Sequence, residues 1–450
     1  MIDNNKIPPS WTIAKLGEVC TYSKGKMPQI LKTEKDNECS IPYINIKAFE
    51  KGIFAEYTNG VKCNLCDDDD FLMVWDGARC GLIGKAKKGA VGSTLMKILP
   101  IKNIHKEYLY YFIKSKFNIL NSKPKGVGIP HIEPTLLWNF EFAIPPLPEQ
   151  HRIVKKIEEL FTDLDKGIEY LKTAQQQLKV YRQAVLKWAF EERLTNENIV
   201  DSELPKGWKF MQHSEIADIN PKLPFEKIED DTEVSFLPMK LVEEEKNKIH
   251  LTEFRKYKEV KKGFTPFTNG DIIFAKITPC MENGKCAILN DLKNEIGIGS
   301  TEFHVSRPKE NVIAKYIFFF IIQEKFRRDA AKHFTGSVGQ KRVPTSFFSD
   351  FLIPVPSKSE QEKIIYEIET RLSVCDKIEE TIVTSLRQSE SLRLSIIKKA
   401  FEGKLVKQNP KDEPAEKLLE RIRAEKKRNF NGKEEKKVNT KTSKKKIQFI

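Results

Sequence analysis

Four segments combine basic side chains with glycine or with hydroxyl, amide or imidazole groups. They read Asp76-Gly-Ala-Arg-Cys-Gly81, Lys125-Gly-Val-Gly-Ile-Pro-His131, Ala275-Lys-Ile-Thr-Pro-Cys280 and Thr335-Gly-Ser-Val-Gly-Gln-Lys-Arg342. Glycine lets backbone N–H groups approach phosphates, and Arg and Gln carry paired groups that distinguish guanine and adenine edges. The candidate DNA-binding residues are Arg79, Lys125, His131, Lys276, Thr278, Ser337, Gln340, Lys341 and Arg342. Each segment alone is more typical of an ordinary surface loop, but their matching places in two halves of the chain favour a shared role.

Sequence motifs for catalysis are absent from this chain. It contains no G-x-x-x-x-G-K-[ST] phosphate loop, no glycine-rich dinucleotide turn after a strand, no G-x-S-x-G and no H-E-x-x-H, and its seven histidines do not cluster. A motor or kinase, a dinucleotide enzyme, an α/β-hydrolase and a zinc protease are therefore all disfavoured. We expect a non-catalytic chain with no cofactor of its own.

Two segments have residue types that bind metal ions. Cys63-Asn-Leu-Cys66, with Cys39 and Cys80 nearby, could hold zinc, but a second C-x-x-C or an H-x-x-x-H partner is absent from the sequence. The four consecutive aspartates from Asp67 to Asp70 could bind Mg²⁺, yet such a run more often forms a solvated turn. Buried, reduced thiols and an acidic turn are the favoured interpretations, so no metal site is predicted.

The net charge of +14 permits a polyanionic partner. Residues 421–450 carry 12 basic and 3 acidic side chains, which is +9 of that total and leaves +5 for the other 420 residues. A lysine-rich end of this kind adds unspecific attraction to phosphates, so charge alone does not establish DNA binding. The sequence has no run of about 18 apolar residues and no apolar signal segment, and we therefore expect a soluble cytoplasmic protein without a membrane partner.

The sequence contains an internal repeat. Matching segments are Pro8-Pro-Ser-Trp11 with Pro205-Lys-Gly-Trp208, Gly92-Ser-Thr94 with Gly299-Ser-Thr301, Tyr108 with Tyr316, Pro134-Thr135 with Pro344-Thr345, Glu149-Gln150 with Glu360-Gln361, and Ala189-Phe-Glu-Glu-Arg-Leu194 with Ala400-Phe-Glu-Gly-Lys-Leu405. The offset rises from 197 to 211 residues and then stays at 211 from Glu149 to Leu194. The globular parts have thus diverged in length, whereas the segment after Glu-Gln has not.

The constant segment predicts one long helix in each half. Apolar residues advance 35 residues in ten steps in the first copy and 31 residues in nine steps in the second, a period near 3.5 that is typical of a coiled coil. Prolines precede both helices, Glu149 and Glu360 lie in or near the first turns, and Gly403 is a predicted stop.

Two seams of equal length favour an antiparallel coiled coil that holds two globular parts apart, with pseudo-twofold symmetry. The expected interface residues are Ile157, Leu160, Leu164, Leu171, Leu178, Ile368, Leu372, Ile382, Leu386 and Ile396. The predicted seams also include Ile153, Ile168, Ala174, Tyr181, Val185, Trp188, Ile365, Cys375, Ile378, Ser389 and Leu392. The alternative is that each helix packs only against its own globular part.

The globular parts have the pattern of mixed α/β domains. Short apolar runs predict strands at Phe71–Trp75 and Asp271–Ala275, with further strand candidates at 36–49 and 260–267. Residues 103–117 and 312–328 are predicted to be helical. Because no regular βαβ alternation is present, the predicted class is α+β, with two globular mixed α/β domains and two long helices.

With these residues in place, the chain resembles the specificity subunits of type I restriction-modification enzymes over nearly its whole length. The resemblance lies in the paired Pro-x-x-Trp openings, the proline-rich entries Ile144-Pro-Pro-Leu-Pro148 and Ile353-Pro-Val-Pro356 that lead to Glu-Gln, and the Ala-Phe-Glu-x-x-Leu exits. Residues 264–308, with AKITPCMENGK and GSTEFHVSRP, look like a widespread type of target-recognition domain, and residues 412–422 are also typical of such subunits.

The resemblance implies two target-recognition domains that each read half of a split site in double-stranded DNA. It implies domain 1 at residues 1–146, a helical spacer at 147–195, domain 2 at 196–356, a second spacer at 357–404 and a basic tail at 405–450. Two methyltransferase subunits and the restriction subunits would be the protein partners. S-adenosylmethionine, ATP and Mg²⁺ would then belong to those partners.

Residue-level contacts do not follow from the resemblance, since recognition domains diverge with the sequence that they read. The first half has WDGARCGLIGK where the second has AKITPCMENGK, so we expect the halves to read different sequences. Two alternatives remain open at this point: the recognition subunit of a related two-component type II restriction-methyltransferase, and a coiled-coil scaffold whose ends bind proteins.

Overall fold

A computed structural model describes residues 7–123, 128–191, 207–337 and 339–426. The chain divides into two compact units. Unit 1 comprises Met1–Tyr170 and Ser385–Ile450, and unit 2 comprises Leu171–Thr384. The two long helices therefore contribute residues to both units.

Among its described residues, unit 1 contains ten strands and five short helices before its long helix. The strands are β1 (Thr12–Lys15), β2 (Cys20–Lys24), β3 (Ile41–Ile44), β4 (Tyr57–Thr58), β5 (Leu65–Cys66), β6 (Phe71–Val74), β7 (Ile83–Lys85), β8 (Gly89–Val91), β9 (Leu95–Pro100) and β10 (Glu141–Ile144). The helices are α1 (Leu16–Val19), α2 (Ile46–Lys51), α3 (Lys106–Ser115), α4 (Phe117–Ser122), α5 (Pro134–Trp138) and the long α6 (Leu147–Ala189), which continues into unit 2.

Unit 2 also consists of ten strands, short helices and a long helix among its described residues. Its strands are β11 (Lys209–Gln212), β12 (Ala217–Ile219), β13 (Glu233–Leu237), β14 (Phe254–Lys256), β15 (Thr265–Thr268), β16 (Ile272–Ala275), β17 (Cys286–Ile288), β18 (Ile296–Gly299), β19 (Phe303–Pro308) and β20 (Leu352–Val355). Its helices are α7 (His213–Ile216), α8 (Tyr257–Val260), α9 (Ala314–Ile321), α10 (Glu324–Lys332), α11 (Thr345–Asp350) and the long α12 (Lys358–Phe401), with 3-10 turns at Met239–Leu241 and Lys293–Glu295. The strands repeat the order of unit 1, whereas α8 lies between β14 and β15 and α2 lies between β3 and β4.

The sheets of the two units have the same topology. Unit 1 has sheets in the orders β1-β10, β2-β9-β6-β7 and β4-β3-β8-β5, and unit 2 has β11-β20, β12-β19-β16-β17 and β14-β13-β18-β15. In each unit one pair is parallel, β3 with β8 and β13 with β18, and all other named pairs are antiparallel. The prediction of an α+β fold with an internal repeat is confirmed.

Strand registers correct one detail of the repeat. Val74 pairs with Leu95 and Ala275 pairs with Phe303, so Leu95 and Phe303 are equivalent. The segment Gly92–Thr94 is therefore equivalent to 300–302, and its alignment with 299–301 was wrong by one residue. The two preceding strands end at equivalent positions, Val91 and Gly299, so the glycine of the short identity Gly-Ser-Thr follows the strand in unit 1 but is the last residue of the strand in unit 2.

The central strands were predicted well and their flanks less well. Strands β6 and β16 consist entirely of buried residues, as expected of short apolar runs. Within 36–49 only Ile41–Ile44 is a strand, because Asn45 caps helix α2 by accepting the N–H of Ala48 at 2.9 Å. In 260–267 the strand begins only at Thr265 (β15), because Val260 ends α8. The helix predicted at 312–328 is interrupted where Gln323 adopts an extended conformation.

The repeated Glu-Gln pair fixes the start of each long helix. Gln150 donates to the carbonyl of Pro145 at 2.9 Å and accepts the N–H of His105 at 2.8 Å. Gln361 makes the equivalent contacts with Pro356 at 3.1 Å and Ile313 at 3.0 Å. Both glutamines are fully buried. Each side chain therefore provides the hydrogen-bond partner of one backbone carbonyl and one backbone N–H that water cannot reach.

The two long helices run antiparallel. In unit 1 the first part of α6 meets the last part of α12, where Arg393 lies over the Phe161 ring at 4.6 Å and pairs with Asp165. In unit 2 the last part of α6 meets the first part of α12, where Arg182 pairs with Asp376 at 2.6 Å. Helix α12 ends at Phe401, followed by Gly403 with φ of 69°, as the sequence predicted.

All ten residues expected at the helix interface are buried or half-buried. Several lie in globular cores as well: Ile157 and Ile396 belong to the core of unit 1, and Ile368 to that of unit 2. The predicted seam is discontinuous, since Tyr181, Ile378 and Leu392 are exposed. The helices thus pack both against each other and against the globular parts, which combines the two alternatives.

The first part of the predicted basic tail packs on unit 1. Residues 415–426 are helical and bury Ala415, Leu418, Leu419 and Ile422 in the core of unit 1. The N–H of Ala415 donates to the carbonyl of Ser10 at 2.9 Å, and Arg423 pairs with Glu18 at 2.9 Å. The lysine-rich residues 433–446 lie outside the described residues.

Candidate nucleic-acid interface

In unit 2 two of the predicted loops form a backbone bridge. The N–H of Thr278 donates to the carbonyl of Lys341 at 3.0 Å, and the N–H of Val343 donates to the carbonyl of Lys276 at 2.8 Å. We call this pairing of residues 276–278 with 341–343 the loop bridge of unit 2. It brings four of the predicted residues, Lys276, Thr278, Lys341 and Arg342, to one place although they are more than 60 residues apart in sequence.

A tight turn carries the remaining two candidates of unit 2. Thr335 and Arg342 exchange two backbone hydrogen bonds of 3.0 and 2.9 Å, which close the segment between them. Gly336 and Gly339 have φ of 106° and 87°, conformations that other residues rarely adopt. Ser337 and Gln340 are exposed on this turn, and the N–H of Gln340 donates to the carbonyl of Ser337 at 3.1 Å.

Arg342 is held by a carboxylate that the sequence did not single out. Its Nε and Nη2 donate to the two oxygens of Glu302 at 2.8 and 2.7 Å, and its Nη1 donates to the carbonyl of Gln340 at 3.0 Å. This pairing lowers the pKa of Glu302, against the smaller effect of its burial. The carboxylate is therefore charged at neutral pH, and the guanidinium has a fixed orientation.

Lys276 and Thr278 are less accessible than the turn. Partial burial lowers the pKa of Lys276, although the nearby charge of Glu302 raises it. The hydroxyl oxygen of Thr278 is buried without a hydrogen-bond partner among the described residues. Both residues are thus only partly exposed, whereas Lys341, Ser337 and Gln340 are exposed.

Unit 1 forms the same bridge with other side chains. The N–H of Gly77 donates to the carbonyl of Pro130 at 2.7 Å, and the N–H of Ile132 donates to the carbonyl of Trp75 at 3.1 Å. The backbone pattern makes Trp75 equivalent to Lys276, Gly77 to Thr278 and His131 to Arg342. The N–H of Trp75 also donates to the carbonyl of Thr94 at 2.8 Å, and the N–H of Lys276 donates to the carbonyl of Glu302 at 2.9 Å, so Thr94 is equivalent to Glu302. This pairing is the loop bridge of unit 1.

Arg79 lies beside the loop bridge of unit 1 and makes one ion pair. Its Nη1 is 2.9 Å from Oε2 of Glu50, and 57% of its side chain is exposed. The loop itself is held by Asn121, whose side-chain amide donates to the carbonyls of Ala78 and Cys80. His131 is half-buried in the bridge, and Lys125 lies outside the described residues.

An aromatic stack near this bridge was missed by the sequence reasoning. Tyr22 stacks on Trp138 with ring centroids 4.1 Å apart, and Trp138 is in turn 6.4 Å from Trp75. Tyr22 is 53% exposed, so the stack is partly open to solvent. Its three aromatic residues come from β2, α5 and the loop bridge. Because they are far apart in the sequence, no local motif indicated that they would meet.

The described part of the chain shows no group of three or more His, Cys, Asp or Glu residues placed to hold a metal ion. Cys66 is buried, and its thiol lies near the carbonyls of Lys87 and Gly89. Burial raises the pKa of this thiol to about 11. Among the described helices, none is long and apolar enough to cross a bilayer.

The two repeated segments of the chain match a known family. Residues 8–179 and 205–388 each match the type I restriction modification DNA specificity domain. Since the two matches cover most of the chain, the protein belongs to this family. The resemblance inferred from the sequence is thus confirmed.

Curated relatives carry the same family designation. The chain is 40% identical over 266 residues to the type I restriction enzyme EcoAI specificity subunit of Escherichia coli and 37% identical to the EcoEI specificity subunit of that organism. These matches span 50% of this chain and only 45% and 44% of those relatives. A match of 26% identity to the MjaVIII specificity subunit of Methanocaldococcus jannaschii covers 89% of this chain and 94% of the relative.

Solved structures show the same fold. A chain from a study of complex assembly and conformational transition of the type I R-M system has a TM-score of 0.67 at 17% identity, covering 88% of this chain and 99% of that one. The HsdS subunit from Thermoanaerobacter tengcongensis has a TM-score of 0.55 at 18% identity, covering 88% and 98%. The relatives support the type I specificity-subunit prediction, and neither the two-component enzyme nor the scaffold alternative.

Proposed function

We propose that this chain is the DNA specificity subunit of a type I restriction-modification system, a recognition protein and not a catalyst. The observation that carries the proposal is the duplicated specificity domain, in which one backbone bridge presents different side chains in each copy. Two copies of one scaffold with different polar residues suit a protein that reads two different half-sites in double-stranded DNA.

The DNA contacts belong to the loop bridges and their neighbours. In unit 2 these are Lys276, Thr278, Ser337, Gln340, Lys341 and Arg342, and in unit 1 they are Arg79, Lys125 and His131. The exposed Ser337, Gln340 and Lys341 suit phosphate or base contacts directly. Lys276 and Thr278 are half-buried, so their contact with DNA requires the loop to move on binding.

The partners follow from the family and from the form of the helices. Two methyltransferase subunits, one for each copy of the repeat, join this chain, and restriction subunits complete the complex in the cytoplasm. S-adenosylmethionine, ATP and Mg²⁺ act in those partner subunits. The proposed segments are recognition domains at 1–146 and 196–356, helical spacers at 147–195 and 357–404, and a basic tail at 405–450.

Methylome sequencing of a host that expresses this chain with its methyltransferase tests the proposal. The expected result is methylation of one bipartite site with a fixed unspecified gap. A purified complex should also give a split footprint on that site. No sequence-specific methylation and no specific protection would contradict the proposal.

The role of the long helices as spacers has a separate test. Inserting one heptad at facing positions of α6 and α12 lengthens each helix by about 10 Å, near three base pairs of B-DNA. The unspecified gap should lengthen correspondingly in the methylome of this variant. An active variant with an unchanged gap would show that the helices do not set the spacing.

A further inference from the structure

We infer that Arg342 recognises a guanine in the half-site of unit 2 and that Glu302 is the residue that positions it. This inference rests on the proposed DNA-binding function and deepens it, since it assigns a base to one side chain. Glu302 belongs to none of the four candidate segments named in the sequence analysis. Only the fold brings it beside Arg342.

The donors of Arg342 can be counted. A guanidinium has five N–H groups. Glu302 accepts one from Nε and one from Nη2, and the carbonyl of Gln340 accepts one from Nη1. One N–H of Nη1 and one of Nη2 remain. Recognition of a guanine requires that the carbonyl of Gln340 takes the Nη1 hydrogen nearer Cδ, because the two remaining N–H groups then lie side by side at the terminal edge of the guanidinium.

That remaining pair matches guanine. Two parallel N–H donors fit the O6 and N7 acceptors that guanine presents in the major groove, whereas adenine presents a donor in place of O6. The side chain of Arg342 is 39% exposed, so this end can reach a ligand. Because Glu302 and Gln340 use the other donors, little side-chain freedom is lost on binding.

The charge of Glu302 supports a positioning role. A carboxylate beside a DNA-binding surface repels phosphates, so its presence next to Arg342 and Lys276 weakens unspecific attraction. Its side chain is only 23% exposed and both of its oxygens face Arg342. A residue that lowers general affinity while fixing a base-reading arginine contributes to discrimination.

Unit 1 has no such pair at the equivalent positions. His131 stands where unit 2 has Arg342, and Thr94 stands where it has Glu302. The other arginine candidate, Arg79, meets Glu50 through a single nitrogen and is more exposed than Arg342. The guanine contact is therefore specific to the half-site of unit 2.

The test measures binding of the full chain, in complex with its methyltransferase subunits, to its own methylation site. Each guanine of the half-sites is replaced in turn by 7-deazaguanine, which removes N7, or by 2-aminopurine, which removes O6. With the unaltered protein, one guanine in one half-site should lose about 10-fold to 100-fold in affinity with either analogue. This arm needs no variant and so is independent of folding.

Variants of Arg342 and Glu302 then show whether Arg342 reads that guanine. Arg342→Lys should abolish the preference for this guanine and leave the other half-site unchanged. Glu302→Gln should reduce the preference about 5-fold or more, while binding to unrelated DNA stays equal or becomes tighter because a negative charge is removed. A merely structural role for Glu302 would lower both specific and unspecific binding.

Glu369→Gln is the matched control. It breaks the exposed Lys315–Glu369 pair of 2.6 Å in the same unit, away from the loop bridge, and should leave the base profile unchanged. Specific binding in which no guanine responds, or an unchanged profile in Arg342→Lys and Glu302→Gln, would overturn the inference alone. Absence of any sequence-specific binding by the unaltered complex would instead overturn the proposed function.

Discussion

The two units share a backbone and differ in the side chains placed on it. Both form the same three sheets and the same loop bridge, yet unit 2 carries Lys276, Glu302 and Arg342 where unit 1 carries Trp75, Thr94 and His131. The hydrogen bonds of the bridge join backbone atoms only, so the side chains are free to vary. A recognition protein can therefore change the sequence that it reads without changing the fold that presents the reading residues.

The difference extends into the cores. His213, His304 and Ser306 of unit 2 are buried, and Leu16, Met96 and Ile98 occupy the equivalent positions of unit 1. His213 faces the Ser306 hydroxyl at 2.7 Å and the carbonyl of Phe348 at 2.8 Å, and His304 faces the carbonyl of Val343 at 2.9 Å. Unit 2 thus depends on neutral imidazoles where unit 1 depends on apolar packing.

The largest expected difference between the units appears in acid. Burial lowers the pKa of both His213 and His304 to about 4, below the value of about 6.5 for an unfolded histidine. The unfolded state then binds more protons, so stability is complete above about pH 6.5 and falls as the pH decreases toward 4. At pH 4.5 each histidine should cost unit 2 about 2 to 3 kcal/mol.

Hydrogen exchange at pH 7 and pH 4.5, corrected for intrinsic rates, checks this prediction by comparing β16 with β6. Protection should fall more in β16. The triple variant His213→Leu, His304→Met and Ser306→Ile, which copies the residues of unit 1, should remove the difference. Equal loss of protection in both strands would argue against the role of the histidines.

The next largest effect should separate the units in the opposite direction. Ile422 of the 415–426 helix is 2% exposed in the core of unit 1. Ile422→Ala should destabilise unit 1 by about 3 kcal/mol through lost burial and a cavity, and leave unit 2 unchanged. Hydrogen exchange of the β6 and β16 amides in this variant measures the effect, and Glu420→Ala, at an exposed position of the same helix, is the control. Loss of protection in both units would mean that they do not unfold separately.

A third pair of substitutions should affect the units equally. Gln150→Ala and Gln361→Ala each leave a buried carbonyl and N–H without their partner, at a cost of about 2 kcal/mol. Each variant should lower protection only in its own unit, and to a similar extent. A much smaller effect in one unit would show that its helix start is held by other contacts, such as Trp208 with Glu360 at 3.1 Å.

The smallest expected effect concerns recognition by unit 1. Arg79 makes one exposed ion pair, so Arg79→Ala should cost little stability and about tenfold in binding the half-site that Arg342 variants leave unaffected. Competition binding with each half-site mutated separately measures this. Lys262→Ala, an exposed change outside the loop bridges, serves as the control. An equal effect of Arg79→Ala on both half-sites would indicate unspecific phosphate attraction.

Much of the architecture could be predicted from local patterns. The period near 3.5, the prolines and the Glu-Gln pairs determine where the long helices begin, and apolar runs determine β6 and β16, because burial and chain geometry act over a few residues. The helix seam was less predictable. Tyr181, Ile378 and Leu392 match its spacing but are exposed, because the period alone does not show which seam positions another element covers.

The sequence by itself determined the repeat, the helix starts, the α+β class and the loops that carry polar residues, because each depends on residues close together along the chain. Only the tertiary structure decided which of those residues meet. It joined 276–278 to 341–343, revealed the one-residue shift at 300–302 and brought Glu302 to Arg342, 40 residues apart in sequence. Strand register and loop closure act across long separations, and neither is encoded by a short motif.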